Sequence, residues 1–78
     1  MKYELLQPVV LRRDLATSGL RAGDLGAVVE LYEPDEIEVE FVTAAGATQA
    51  VVTLGVEDVR AVGAADLLAV REMASAPA

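Results

Sequence analysis

Between Glu36 and Val42 the chain alternates acidic and apolar residues, Glu36-Ile37-Glu38-Val39-Glu40-Phe41 followed by Val42. Successive side chains of a strand point to opposite faces, so this alternation predicts a half-buried β-strand with acids on its outer face. Four more strands follow from shorter runs bounded by turn residues. These are Pro8 to Arg12, Leu25 to Tyr32, Thr48 to Leu54 and Val59 to Val62. Pro8 suits the first position of a strand, where its missing N–H costs least. The turns are Glu33-Pro34-Asp35, Thr43 to Ala47, and Gly55 to Asp58, the last a tight or 3₁₀ turn. A long loop, Asp14 to Asp24, separates the first two strands.

The turns set an expected register. Pairing Leu31 with Ile37 brings Val29 opposite Val39. Pairing Thr43 with Thr48 brings Phe41 opposite Ala50, Val39 opposite Val52 and Ile37 opposite Leu54. One apolar face then spans three strands, and a slip of one residue would scramble it. Five short strands with a long first loop and a 3₁₀ turn before the last predict an all-β fold, a small five-stranded SH3-like barrel. This barrel, with a short entry segment, is expected over residues 1–62.

Residues 63–78 change style. Ala64, Ala65, Leu67, Leu68, Ala69, Arg71, Glu72 and Met73 favour helix, and Asp66 can cap it. Leu67, Val70 and Met73 recur every third residue beside Leu68, as on one helical face. A short C-terminal helix that needs an apolar surface to lie on, followed by a frayed tail, is the expectation.

Composition then restricts function. The chain has 78 residues, 54% of them hydrophobic, and 13 acids against 6 bases for a net charge of −7. It has no Cys and no His, which removes disulfides, thiolate or imidazole metal sites, and Ser-His or Cys-His nucleophiles. A pI near 4.3 without a basic stripe argues against nucleic acid and anionic membrane as partners. No apolar run is long enough to span a bilayer. The N-terminus lacks a signal-peptide apolar region, so the expected compartment is the cytoplasm. So short a chain buries only about 60% of its unfolded surface. Fourteen of the apolar residues are Ala, which bury little, yet the remainder leaves apolar side chains that something must cover.

Three groups of residues could carry function. Gly19, Gly23, Asp24 and Gly26 do not make a phosphate cradle, because no Lys-Ser/Thr follows and the chain enters a strand instead of a helix. They are expected to be structural: Gly23 at positive φ, Asp24 capping backbone N–H groups, and Gly26 allowing a bulge or close backbone approach. The second group is the acidic cluster Glu30, Glu33, Asp35, Glu36, Glu38 and Glu40, with Glu30 opposite Glu38. It could be a solvated face that blocks edge association, a docking surface for a basic protein, or a cation site. Exposed carboxylates without a pocket make poor acid–base catalysts, so no catalytic residue, metal site or cofactor is assigned. The third group is Val28, Tyr32, Val42 and Val51 on the outer face, together with Leu67, Leu68, Val70 and Met73. These are expected to form the interface of a homo-oligomer, most simply a two-fold dimer. Arg12 or Arg60 is expected to pair with the Glu30/Glu38 face.

The order Tyr3-Glu4-Leu5-Leu6, Val9-Val10-Leu11, Asp14-Leu15, Gly19-Leu20, Gly23-Asp24-Leu25-Gly26, Val28-Val29-Glu30, Tyr32, Glu38-Val39-Glu40-Phe41, Thr53-Leu54 and Val59-Arg60 resembles a family of short bacterial proteins known as a domain of unknown function, the DUF4926 type. The resemblance covers about residues 3–62. It implies an SH3-like fold, no established activity, and an origin among accessory or mobile-element genes. In the usual pattern the chain ends soon after the Val-Arg, so residues 63–78 are what the resemblance explains least. The function expected is a small, acidic, non-enzymatic interaction module that associates with itself. The alternatives are an immunity or antitoxin protein that neutralises a basic toxin, and a cation- or small-ligand-binding protein with a pocket at the 14–24 loop.

Overall fold

The computed structural model describes residues 1–73. Its strands are β1 (Pro8–Leu11), β2 (Leu25–Tyr32), β3 (Glu36–Val42), β4 (Thr48–Gly55) and β5 (Val59–Ala61). Two 3₁₀ turns, Ala16–Ser18 and Val56–Asp58, lie in the first loop and before β5. The strands form one antiparallel sheet in the order β4-β3-β2-β1-β5. Among the described residues no ladder joins β4 to β5, so hydrogen bonds do not close the sheet into a barrel. The chain crosses from one edge to the other through Val56–Asp58.

The hairpin register follows the alternation of Glu36–Val42. Leu31 faces Ile37, Ile37 faces Leu54, Val39 faces Val52 and Phe41 faces Ala50. Ile37, Val39 and Phe41 are buried with Val9, Leu11, Val28, Leu54 and Val59. Tyr3 and Leu20 belong to the same core, and the Tyr3 hydroxyl donates to the Val59 carbonyl at 3.3 Å.

Two features of the register depart from the sequence expectation. A bulge between Val28 and Glu30 sets Val28, not Val29, opposite Val39. Val28 is therefore a core residue, 0% exposed, and is removed from the outer face where it was expected. On the β1 side the Val28 carbonyl accepts from Leu6 N–H at 2.7 Å and its N–H donates to the Gln7 carbonyl at 3.0 Å, so the entry segment continues the pairing with β2 at this point. A second shift after Phe41 pairs Val42 with Thr48, so Thr43 is not the partner of Thr48.

The C-terminal helix is absent among the described residues: 64–73 form a turn and then an irregular strap. A single short helix is marginal without an apolar bed, and Leu67, Leu68 and Val70 do not pack on one here. Leu67 is 91% exposed, and Leu68 and Val70 also project into solvent. Asp66, expected to cap following N–H groups, turns backward instead. Its Oδ2 accepts from Gly63 N–H at 2.6 Å, and its two oxygens take the Arg60 guanidinium at 2.8 and 2.9 Å.

Candidate interaction surface

Strand alternation gives the sheet an outer face with two chemically different halves. One half is acidic. β3 contributes Glu36, Glu38 and Glu40, and β2 contributes Glu30 and Tyr32. Glu30 lies directly opposite Glu38, and Tyr32 opposite Glu36. Glu33 and Asp35 extend the charge into the connecting turn. Like charges facing each other weaken a ladder. Local donors offset part of that cost. The Tyr32 hydroxyl donates to Glu38 Oε1 at 2.8 Å, Leu31 N–H donates to Glu30 Oε1 at 2.9 Å, and the Thr48 hydroxyl donates to Glu40 Oε2 at 2.8 Å. The Glu38 carboxylate, accepting that proton, pushes the Tyr32 phenol above its ordinary pKa, with Glu30 adding repulsion. Among the described residues no group of three or more acids is placed to hold a metal ion.

The other half is apolar. Ala27 and Val51 flank Glu40 on either side. Leu25 lies two residues before Ala27 and Val42 two residues after Glu40, on the same face, with Val10 paired to Leu25 from β1. Leu25 is 51% exposed, Val42 54% and Val51 49%. Sequence reasoning placed Leu25 at the start of the second strand but did not count it among the outer-face residues. Its signal was available: it is two residues from Ala27 and so shares the outer face.

Among the described residues no Lys or Arg side chain, Arg12 included, forms an ion pair with the acidic half, although the Met1 ammonium lies 3.7 Å from Glu33 Oε1. Arg60, expected on the Glu30/Glu38 face, binds Asp66 instead, and that contact with the Gly63 N–H lowers the Asp66 carboxyl to about 2. Arg13 pairs with Asp58 at 2.8 Å. Arg71 reaches back to the 14–24 loop and binds Asp24 through both carboxylate oxygens, at 2.8 and 2.6 Å. This contact was not foreseen, since the partners stand 47 residues apart.

In the loop itself Gly23 has φ +97, its N–H donates to the Leu11 carbonyl at 2.7 Å, and Asp24 Oδ2 accepts from Arg21 N–H at 2.8 Å. Gly19 has φ +70 and sits beside Met73, which is half-buried there and not on the exposed face of Leu67, Leu68 and Val70. Gly26 faces inward, where a β-carbon would stand 2.6 Å from Val39 Cγ1 and 2.9 Å from Phe41 Cε1. No helix among the described residues is long and apolar enough to cross a membrane.

Searches of curated proteins and of solved structures find no match. A family model does match, and it ends at Ala61, before the strap begins. Because it spans residues 5–61, and with them all five strands, the chain belongs to the family described as Domain of unknown function (DUF4926).

Proposed function

We propose that the protein is a small, acidic, non-enzymatic interaction module that forms a two-fold homodimer through the apolar half of its outer face. The observation that carries this reading is the division of that face. Leu25, Val42 and Val51 are about half exposed on one side, while Glu30, Glu36 and Glu38 gather on the other. An isologous contact centred on the valines would bury apolar surface together with Glu40, which lies between Ala27 and Val51 and accepts from the Thr48 hydroxyl, and would keep Glu30, Glu36 and Glu38 at its margins. The acidic halves of such a dimer stay open to a basic protein partner, as an immunity-type role would require.

Within the same proposal the sheet is of the SH3-like barrel type. Five short antiparallel strands, the long loop after β1 and the 3₁₀ turn before β5 support that assignment. The resemblance supports a bacterial accessory gene, and the identity of the neighbouring gene tests this.

Sedimentation velocity over a concentration series tests the association. The dimer is expected to fall to a monomer in Val42→Asp and Val51→Asp, with the folded spectrum retained because both side chains lie outside the core. A wild-type chain that stays monomeric and soluble at high concentration sinks the reading.

A further inference from the structure

The strap is fastened to the body by side chains. Among the described residues its one backbone–backbone hydrogen bond runs from Asp66 N–H to the Gly63 carbonyl, within its own turn. Beyond Asp66, Leu67, Leu68 and Val70 face solvent, and the body next holds the strap at Arg71. There the guanidinium is bound as a ligand would be. Nε donates to Asp24 Oδ1 at 2.8 Å, and Nη2 donates to Asp24 Oδ2 at 2.6 Å and to the Gly19 carbonyl at 3.0 Å. The planar fork of arginine matches a carboxylate in this two-point geometry, and lysine cannot reproduce it.

The receptor exists without the strap's help. Asp24 is fixed by the N–H of Arg21, and Asp14 by that of Ala22 at 2.9 Å. Asp14 adds a second negative charge near the guanidinium, and Arg21 is the opposing charge. Two residues after Arg71, Met73 lies beside Gly19, its Cε 3.5 Å from where a β-carbon would stand. Asp24 is only about one-sixth exposed and Arg71 about one-third, so the pair is partly shielded from water.

We propose that the 14–24 loop is a binding site for an arginine side chain on an extended peptide, of the form Arg-x-Met, and that the chain's own strap occupies it as a tethered competitor. A partner polypeptide with such a segment takes Arg71's place and frees the strap. This site lies at the opposite end of β2 from the acidic turn and does not depend on the dimer.

The test uses the full chain with Arg71→Ala, followed by backbone amide NMR. The probe is an acetylated, amidated peptide copying residues 66–73. In Arg71→Ala the peptide should shift the amides of Gly19, Leu20, Arg21 and Asp24. Wild type should bind it about tenfold more weakly or worse, because the tethered arginine holds the site at millimolar effective concentration. A peptide with citrulline in place of arginine, or Asp24→Asn added to the variant, should abolish the shifts. Absence of binding to Arg71→Ala, or equal binding of the citrulline peptide, overturns the proposal. So does loss of the folded spectrum in both Arg71→Ala and Arg71→Gln, since Arg71 would then be part of the fold and not a replaceable ligand.

Discussion

Gly26 and Gly23 stand three residues apart and are needed for different physical reasons. At Gly26 the difficulty is space: a β-carbon would meet Val39 at 2.6 Å and the Glu40 carbonyl oxygen at 3.0 Å. Gly26→Ala should therefore cost about 1–3 kcal/mol, as overpacking of a close-packed core does. At Gly23 nothing lies within 4 Å, but φ is +97, so the cost of Gly23→Ala is backbone strain of about 1–2 kcal/mol. Urea unfolding measures both. The two costs separate when a second change makes room: Val39→Ala should relieve part of the Gly26→Ala penalty and none of the Gly23→Ala penalty. The neighbouring bulge yields another residue-level prediction. Val28→Ala should cost about 2 kcal/mol, two lost methyl groups plus a cavity, and Val29→Ala clearly less, because only Val28 is fully buried. A larger cost at Val29 than at Val28 would mean that the strand is not bulged. The pairings Leu31–Ile37, Val39–Val52 and Phe41–Ala50 were legible in the alternation of Glu36–Val42, because that period admits one register. The bulge was not legible, because nothing in the apolar run Ala27-Val28-Val29 marks which valine faces inward.

Among the elements, the strap shows how long-range charge overrides local propensity. Residues 64–73 are good helix formers, yet a helix there would have to give up the Arg60–Asp66 and Asp24–Arg71 contacts. Neither pair was readable from the sequence, where many acids compete for few bases and nothing local selects Asp24 for Arg71. The strap should accordingly respond to pH. The Arg71 guanidinium holds the Asp24 carboxyl below its ordinary value, and the Arg60 guanidinium with the Gly63 N–H holds Asp66 at about 2. Both groups are lowered on folding, so their contribution is present above the unfolded carboxylate range near pH ~3.9 and is lost as pH falls through the folded values. Amide shifts of residues 66–73 should stay constant above this range and move toward unstructured values as the pH drops toward about 2. Strap signals that remain unchanged at that pH would show that something other than these carboxylates holds it.

Over the whole molecule, the net charge of −7 is distributed unevenly, and the unevenness works against the fold. Six acids fall within the eleven residues from Glu30 to Glu40, while Arg13, Arg60 and Arg71 bind Asp58, Asp66 and Asp24 elsewhere. Glu30 faces Glu38 across β2 and β3, a like-charge pair that ordinary selection for stability would replace by opposite charges. Glu30→Lys makes that replacement. It sets a base opposite Glu38 and removes repulsion, at the loss of one exposed hydrogen bond to Leu31 N–H. The variant is expected to be more stable by about 0.2–1 kcal/mol in urea unfolding at low salt, with the gain shrinking as salt rises. Should the acidic half serve a basic partner, the same variant binds that partner more weakly and loses most of the salt dependence of association, because complementary charge governs approach. A chain more stable than wild type and poorer at binding a basic partner would locate function on this hairpin. If Glu30→Lys is instead destabilised at low salt, the like-charge pair costs the fold nothing, and the acidic half has only its solubility to explain it.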